Sequence, residues 1–111
     1  MSITPEMEMW LRDLETTAAP QTIGELRENL ADAKFAYCCL GRACEVATAN
    51  GVKNATCDYM CPDVGHLYMP AAAADWLGLT ESQQARCVDW NDDDSLTFPQ
   101  IAAKLRGELS S

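Results

Sequence analysis

The sequence predicts a mainly α-helical single domain of about five short helices, with an α+β arrangement as the alternative. Three observations lead to this prediction. Apolar residues recur at helical spacing, capping residues precede most of these segments, and hydrophobic residues make up 48% of the 111 residues. This length suits one domain over residues 1–111, with residues 1–3 and 108–111 expected to fray. The pattern allows a small β-hairpin within residues 52–69.

The first helix is predicted to begin at Thr4, because a side-chain cap followed by Pro5 is typical of a helix start. Its buried face would consist of Met7, Trp10, Leu11 and Leu14. Thr22 and Glu25 then predict a capping box for a second, weaker helix. The apolar residues of that helix would be Ile23, Leu26 and Leu30.

The clearest helical pattern covers residues 39–49, where one face carries Leu40, Ala43, Cys44 and Ala47. Asn50 and Gly51 predict its end, since both residue types tolerate the left-handed conformation of a helix stop. The pattern is irregular from residue 52 onward, with weak strand signals near 56–60 and 67–69.

The last part of the chain predicts three helices. Pro70 opens a short one that ends at Gly78, and the last helix carries an apolar stripe formed by Phe98, Ile101, Ala102, Leu105 and Leu109. Residues 89–95 form an acidic loop between the second and third of these helices. Two capping boxes are predicted, by Thr80 with Gln83 and by Thr97 with Gln100. From these patterns we expect a core built on Trp10, Leu14, Leu26, Leu40, Val46, Trp76, Leu77, Phe98, Ile101 and Leu105.

The charge balance restricts the classes of partner. Eight Lys and Arg against seventeen Asp and Glu give a formal net charge of -9. Nucleic acid and anionic membranes both require cationic neutralisation, so we expect neither as a direct partner. An acidic surface attracts basic proteins instead. The sequence shows no export signal and no apolar run of the ~20 residues that a membrane span needs, which predicts a cytoplasmic protein with reduced thiols.

The six cysteines raise two alternatives to simple core packing. Cys57, Cys61 and His66 could supply three zinc ligands, with Cys38 or Cys39 as the fourth, but the Cys-x-x-x-Cys spacing departs from the usual zinc knuckle. Cys39 lies near a predicted helix N-terminus, where the helix dipole lowers a thiol pKa, and His66 could serve as its base. No third orienting residue stands out, and we favour core packing.

The acidic loop fits part of a calcium-binding pattern. The EF-hand positions 1, 3, 5, 7, 9 and 12 are occupied by Asp89, Asn91, Asp93, Ser95, Thr97 and Gln100. Two departures count against calcium. Asp94 replaces the glycine that permits the sharp turn, and Gln100 replaces the bidentate glutamate. The preferred interpretation is that Asn91 and Asp92 shape a turn, while Asp93 and Asp94 precede a helix N-terminus.

Three stretches of the chain together resemble a family of small uncharacterised proteins of tailed bacteriophages and prophages. Cys-Cys-Leu-Gly-x-x-Cys lies within residues 35–47, a Pro followed by Trp-Leu-Gly-Leu lies within 67–79, and Asn-Asp followed by Thr-Phe-x-x-Ile-Ala lies within 90–102. Residues 21–27 resemble the family's Gln…Leu-Arg segment. One departure is Met69, where the family has leucine. The resemblance implies a phage origin and a bacterial host cytoplasm, and it implies no catalytic residue or cofactor.

These observations favour a non-enzymatic phage or prophage accessory protein that binds and modulates a host protein, such as a basic nucleic-acid-binding or defence protein. An anti-defence inhibitor or one that mimics nucleic acid is one interpretation of the acidity, and on composition alone an ordinary acidic, solvated surface is favoured over mimicry. The candidate contact residues are Trp90, Asn91, Asp92, Asp93, Asp94, Cys38, Cys39 and Arg42.

Two other functions stay open. A small-molecule binder of nucleotide signals would use a pocket lined by 38–41 and 91–92, with Arg27 and Arg42 offsetting the acidic charge. A metal-stabilised structural or minor virion protein would use the cysteines. The sequence leaves the oligomeric state and the identity of the partner open.

Overall fold

A computed structural model describes residues 3–23, 27–31, 34–55 and 69–109. The elements in chain order are α1 (Pro5–Thr16), β1 (Arg27–Asn29), β2 (Phe35–Tyr37), α2 (Cys39–Ala49), α3 (Ala71–Leu77), α4 (Glu81–Val88), a π-helical turn (Asp89–Asp93) and α5 (Phe98–Leu109). The strands form an antiparallel pair in which Glu28 lies opposite Ala36. The prediction of a mainly α-helical protein with a small β-hairpin is confirmed.

The predicted helix ends are confirmed where local chemistry specifies them. The Thr4 hydroxyl accepts the Met7 N–H at 3.1 Å, and both predicted capping boxes form. Gly51 and Gly78 adopt left-handed conformations with φ of 84° and 76° at the ends of α2 and α3. In both cases the chain reverses through bonds to carbonyls of the last helical turn, as in a Schellman motif.

Helix α1 packs against α5 and α2. The Trp10 indole is fully buried and donates a hydrogen bond of 2.9 Å to the Cys39 carbonyl. Across the α1–α5 contact, the Arg106 guanidinium binds the carboxylates of Glu8 and Glu15. The predicted core is largely confirmed by the buried side chains Trp10, Leu14, Leu40, Leu77, Phe98, Ile101 and Leu105. Val46 and Trp76 are only half-buried, and Leu26 lies outside the described residues.

The weak second helix predicted after Thr22 is wrong. Residues 27–29 form a strand, and Thr22 lies beside β2, with its N–H donating to the Tyr37 carbonyl at 2.8 Å. Its hydroxyl donates to the Glu28 carboxylate instead of capping a helix. A short segment with isolated apolar residues gains more from pairing with a strand than from a marginal helix.

The described hairpin lies where no hairpin was predicted. The described strands are at 27–37, whereas the prediction placed a hairpin within 52–69. The described parts of that segment, 52–55 and 69, contain no strand, and residues 56–68 lie outside the described part of the chain.

Within the residues that the structure describes, no helix has the length and apolar character that a membrane crossing requires.

Candidate functional site

The side chain of Asn91 is the hub of a hydrogen-bond network inside the protein. Its Oδ1 accepts from Gln21 Nε2 at 2.8 Å and from the Cys39 backbone N–H at 3.3 Å. Its Nδ2 donates to the Thr22 carbonyl and to Asp92 Oδ1, both at 2.8 Å. The residue is 1% exposed, so these bonds replace the water that a buried amide would otherwise need. Asn91 therefore joins the 20–22 segment, the start of α2 and the π-helical turn.

Gln21 extends this network to the beginning of α5. Its Nε2 also donates to the Leu96 carbonyl at 2.7 Å, and its Oε1 accepts the Phe98 N–H at 3.1 Å. The second bond satisfies one of the unpaired N–H groups at the N-terminus of α5. The two amide side chains thus hold both ends of residues 91–98 against the body of the protein. This role of Gln21 could not be predicted from the sequence, because the bonded segments lie 70 or more residues away along the chain.

The π-helical turn continues directly from α4, and a residue in the left-handed conformation follows shortly after it. The Asp94 N–H donates to the Asp89 carbonyl at 2.9 Å, the wide spacing that defines a π turn. Ser95 has a φ of 54°, a left-handed conformation that non-glycine residues rarely adopt. This conformation lets the Leu96 N–H reach back to the Trp90 carbonyl at 2.9 Å.

Three of the four carboxylates of this region lie on the surface, and the fourth, that of Asp92, accepts a hydrogen bond from Asn91. We call residues 89–95 the acidic turn. Asp89, Asp93 and Asp94 are exposed, and Asp92 is half-buried beside Asn91. Among the residues that the structure describes, no Lys or Arg lies within ion-pair distance of these four aspartates. Trp90 is half-buried and packs against the core.

The two neighbouring cysteines at the start of α2 are buried and contribute to the structure of the helix start. The Cys38 Sγ accepts the Gly41 N–H at 3.4 Å and so acts as the helix N-cap. Cys39 is fully buried, and its Sγ lies 3.6 Å from the Cys87 carbonyl oxygen. The adjacent Cys87 side chain and burial raise the pKa of the Cys39 thiol well above its ordinary value. Cys87 and burial thus outweigh the lowering of the pKa that the alternative of a nucleophilic Cys39 requires.

Arg42 is engaged within the protein. Its guanidinium forms a bidentate pair with the Asp13 carboxylate, with N–O distances of 2.7 and 2.8 Å, and stacks over the Tyr37 ring at 4.8 Å from the centroid. The carboxylate of Asp13 raises the pKa of Arg42. This arrangement joins α2 to α1 and to β2. The Asp13 carboxylate therefore occupies the Arg42 guanidinium. The nucleotide-binding alternative requires the same guanidinium to bind an anionic ligand.

The structure also locates the residues of the metal-binding alternatives. Three of the residues at EF-hand ligand positions have other partners. Asn91 belongs to the internal hydrogen-bond network, and Thr97 and Gln100 form the capping box of α5. Cys57, Cys61 and His66, proposed above for zinc, lie outside the described residues. Within the described ranges, no group of three His, Cys, Asp or Glu side chains is arranged to hold a metal ion.

The predicted site residues thus divide into two groups. Cys39 and Asn91, 52 residues apart in the chain, are brought together inside the protein, and Cys38 and Arg42 lie beside them with internal partners. Asp93 and Asp94 lie on the surface. The juxtaposition of the 38–41 and 91–92 segments therefore belongs to the interior, and the exposed chemistry is that of the acidic turn.

Comparison with protein-family models, with curated proteins and with solved structures finds no match to this chain. The resemblance to small phage proteins stays a prediction.

Proposed function

We propose that this chain is a non-enzymatic binding protein that presents the acidic turn to a basic surface of another protein. The observation that carries the proposal is the contrast within four consecutive residues. Asn91 is fixed in the interior by four hydrogen bonds, while Asp93 and Asp94, two and three residues later, are exposed and have no ion-pair partner among the described residues.

Fixing the turn favours binding because less conformational freedom is lost when a partner docks. Association costs free energy for ordering both the loops and the side chains of an interface, and a backbone that is already held avoids the loop part of this cost. The Asn91 and Gln21 bonds hold the turn at its middle and at its exit toward α5. The acidic turn is therefore presented on a fixed backbone.

Four carboxylates elsewhere in the described residues are paired with arginine side chains. Glu8 and Glu15 bind Arg106, Asp13 binds Arg42, and Glu108 pairs with Arg86. The acidic turn differs from these sites, because its charge is not compensated by described residues. A surface that combines exposed charge with a net charge of -9 steers basic partners toward it.

The proposed partner is a basic protein of a bacterial host, of the kind that binds nucleic acid or acts in defence against phage. A protein that holds a phosphate backbone presents rows of Lys and Arg, which the aspartates of the turn would engage in place of phosphates. The resemblance to small phage proteins supports a host protein as the target. Binding of this kind would block the partner without any chemical reaction.

The test compares two charge-matched variants. The first, Asp93→Asn/Asp94→Asn, neutralises the acidic turn, and the second, Asp75→Asn/Glu81→Gln, removes the same charge from exposed positions near α3 and α4. Each immobilised protein is incubated with bacterial host lysate, and the retained protein is identified, purified and titrated. We expect the first variant to bind at least about tenfold more weakly than the original chain, a loss of ~1.4 kcal/mol, and the second to bind normally.

The purified partner also gives a functional readout. If the turn occupies a nucleic-acid groove, adding the original chain should displace a labelled oligonucleotide from the partner, and the turn variant should not. Equal weakening by both variants would show that only net charge matters. Unchanged binding of the turn variant would show that the acidic turn is not the contact surface.

Native mass spectrometry of gently purified protein separates the alternatives. A retained compound in the mass spectrum, together with absorbance of the released compound at ~260 nm, would favour nucleotide binding. A mass excess of one zinc ion that is lost with a Cys57→Ser/Cys61→Ser variant would favour the metal-stabilised alternative. A bare chain would leave the protein-binding proposal in place.

A further inference from the structure

The C-terminal end of α2 presents an asparagine followed by a glycine on the protein surface. Asn50 and Gly51 are both exposed, and Gly51 has a φ of 84° with open space where a Cβ would lie. A glycine leaves its backbone nitrogen accessible, because no side chain shields it. In a polypeptide, the side-chain amide of an asparagine can react with the backbone nitrogen of the next residue. Here these two groups are the Asn50 amide and the Gly51 nitrogen.

We propose that Asn50 is a site of spontaneous deamidation, gated by opening of the last turn of α2. The Gly51 nitrogen attacks Asn50 Cγ, so that a new C–N bond forms while the bond from Cγ to Nδ2 breaks. Ammonia leaves with the proton that Gly51 loses, and the product is a five-membered succinimide. Water then opens either carbonyl of this ring and gives an aspartyl or an isoaspartyl residue at position 50. No electrons are exchanged, and solvent water is the only co-reactant.

The folded structure holds both reacting groups apart. Asn50 Nδ2 donates to the Val46 carbonyl at 2.8 Å, and the Gly51 N–H donates to the Thr48 carbonyl at 3.0 Å. Ring closure needs both bonds to break, because the nitrogen and Cγ must turn toward each other. Helix ends open locally at low free-energy cost, so the reaction reports on fraying of this turn.

The other described asparagines are less suited to the reaction. Asn29 and Asn54 precede Leu30 and Ala55, whose side chains obstruct approach of the backbone nitrogen. Asn91 precedes Asp92 and has its amide held in the buried network. We therefore expect reaction at position 50 first.

Deamidation would weaken the end of α2 for three reasons. The bond from Nδ2 to Val46 is lost, and a negative charge appears at the negative end of the helix dipole. In the isoaspartyl product the backbone gains one methylene, which disrupts the bond from Val52 N–H to the Ala47 carbonyl that closes the turn. Since Ala55 is buried just beyond this point, its packing depends on that closure.

The experiment ages the full chain in mildly alkaline buffer, with and without urea above its unfolding midpoint. Peptide mass spectrometry then quantifies the gain of about 1 Da and the isoaspartyl fraction at each asparagine. We expect Asn50 to react at least about tenfold faster than Asn54, and urea to accelerate reaction at Asn50. The control variant Asn50→Gln should show no early product at position 50.

The aged protein is also compared with the control for stability. We expect a lower unfolding midpoint for aged original chain and an unchanged midpoint for aged Asn50→Gln protein. Reaction at Asn54 as fast as at Asn50 would overturn the assignment of the site. A rate at Asn50 that urea leaves unchanged would overturn the gating by the helix end.

Discussion

Replacement of Asn91 by alanine should destabilise the protein strongly, although the residue lies in a turn. The change removes the bonds to the Thr22 carbonyl and the Cys39 N–H, two backbone groups from distant segments. An unsatisfied buried backbone group costs ~1–3 kcal/mol. The bond to Gln21 is also lost, and the missing amide leaves a space. We therefore expect the free energy of unfolding to fall by about 3–5 kcal/mol in total. A domain of this size has a free energy of unfolding of only about 5–15 kcal/mol, so this is a large part of it.

The assay is urea unfolding followed by circular dichroism, with thermal unfolding as a second measure. At about 4 °C for each kcal/mol, Asn91→Ala should lower Tm by about 12–20 °C. The matched control is Asp93→Ala, because this aspartate lies two residues away in the same turn and is exposed. We expect the control to stay within about 0.5 kcal/mol of the original chain.

A double-mutant cycle with Gln21→Ala tests whether the two amides act as one network. Gln21 bonds both to Asn91 and to the Phe98 N–H. Replacing either amide should therefore already weaken the hydrogen bonds that the other replacement would remove. We expect the two losses to be non-additive by at least about 0.5 kcal/mol. A loss for Asn91→Ala of less than about 1 kcal/mol, close to that of the control, would refute the argument that buried backbone groups depend on this residue.

Three further predictions concern single features of the structure. Ser95→Gly should raise the free energy of unfolding by up to about 1 kcal/mol, because glycine adopts the φ of 54° without strain; a lower urea midpoint would contradict this. In the Arg106→Gln variant, the free energy of unfolding should decrease less steeply than in the original chain as the pH falls. Arg106 lowers the pKa of both Glu8 and Glu15 below the ordinary 4.5, so their contribution is present above that pH and is lost as the pH falls through the lowered pKa values. Unfolding midpoints from neutral pH to about pH 3 measure this, and parallel curves for the two proteins would rule out the contribution. Native protein should alkylate at Cys39 at least about a hundredfold more slowly than urea-unfolded protein, because burial keeps the thiol protonated and covered; rapid native labelling would restore the nucleophile hypothesis.

The sequence predicted the helices well because their ends depend on local chemistry. A threonine cap, a proline at the first helical position or a glycine at a left-handed stop acts within one turn of the chain. Thr4, Thr80 and Gly51 all behave as their types predict. The weak helix after Thr22 failed for the opposite reason. Backbone bonds between 20–22 and Tyr37, 15 or more residues later, decided its structure.

The candidate site was predictable only in part. The sequence offered segments 38–41 and 91–92 only as the two sides of a pocket in the nucleotide-binding alternative, and the structure places Cys39 and Asn91 in hydrogen-bond contact. It could not indicate that this contact lies in the interior, nor that Gln21 completes it. Both facts depend on packing of α2 and the π-helical turn against a segment at the other end of the chain.

By itself the sequence determined the charge of -9, the helical class and most of the helix ends, because composition and local capping need no distant partner. Only the tertiary structure decided which polar residues of the 89–95 segment face inward. Asn91 and Asp93 are neighbours of similar size, yet one is buried and the other exposed. The physical reason is that an uncharged amide can both donate to Thr22 and accept from Cys39, and these partners reach position 91 only after the chain has folded.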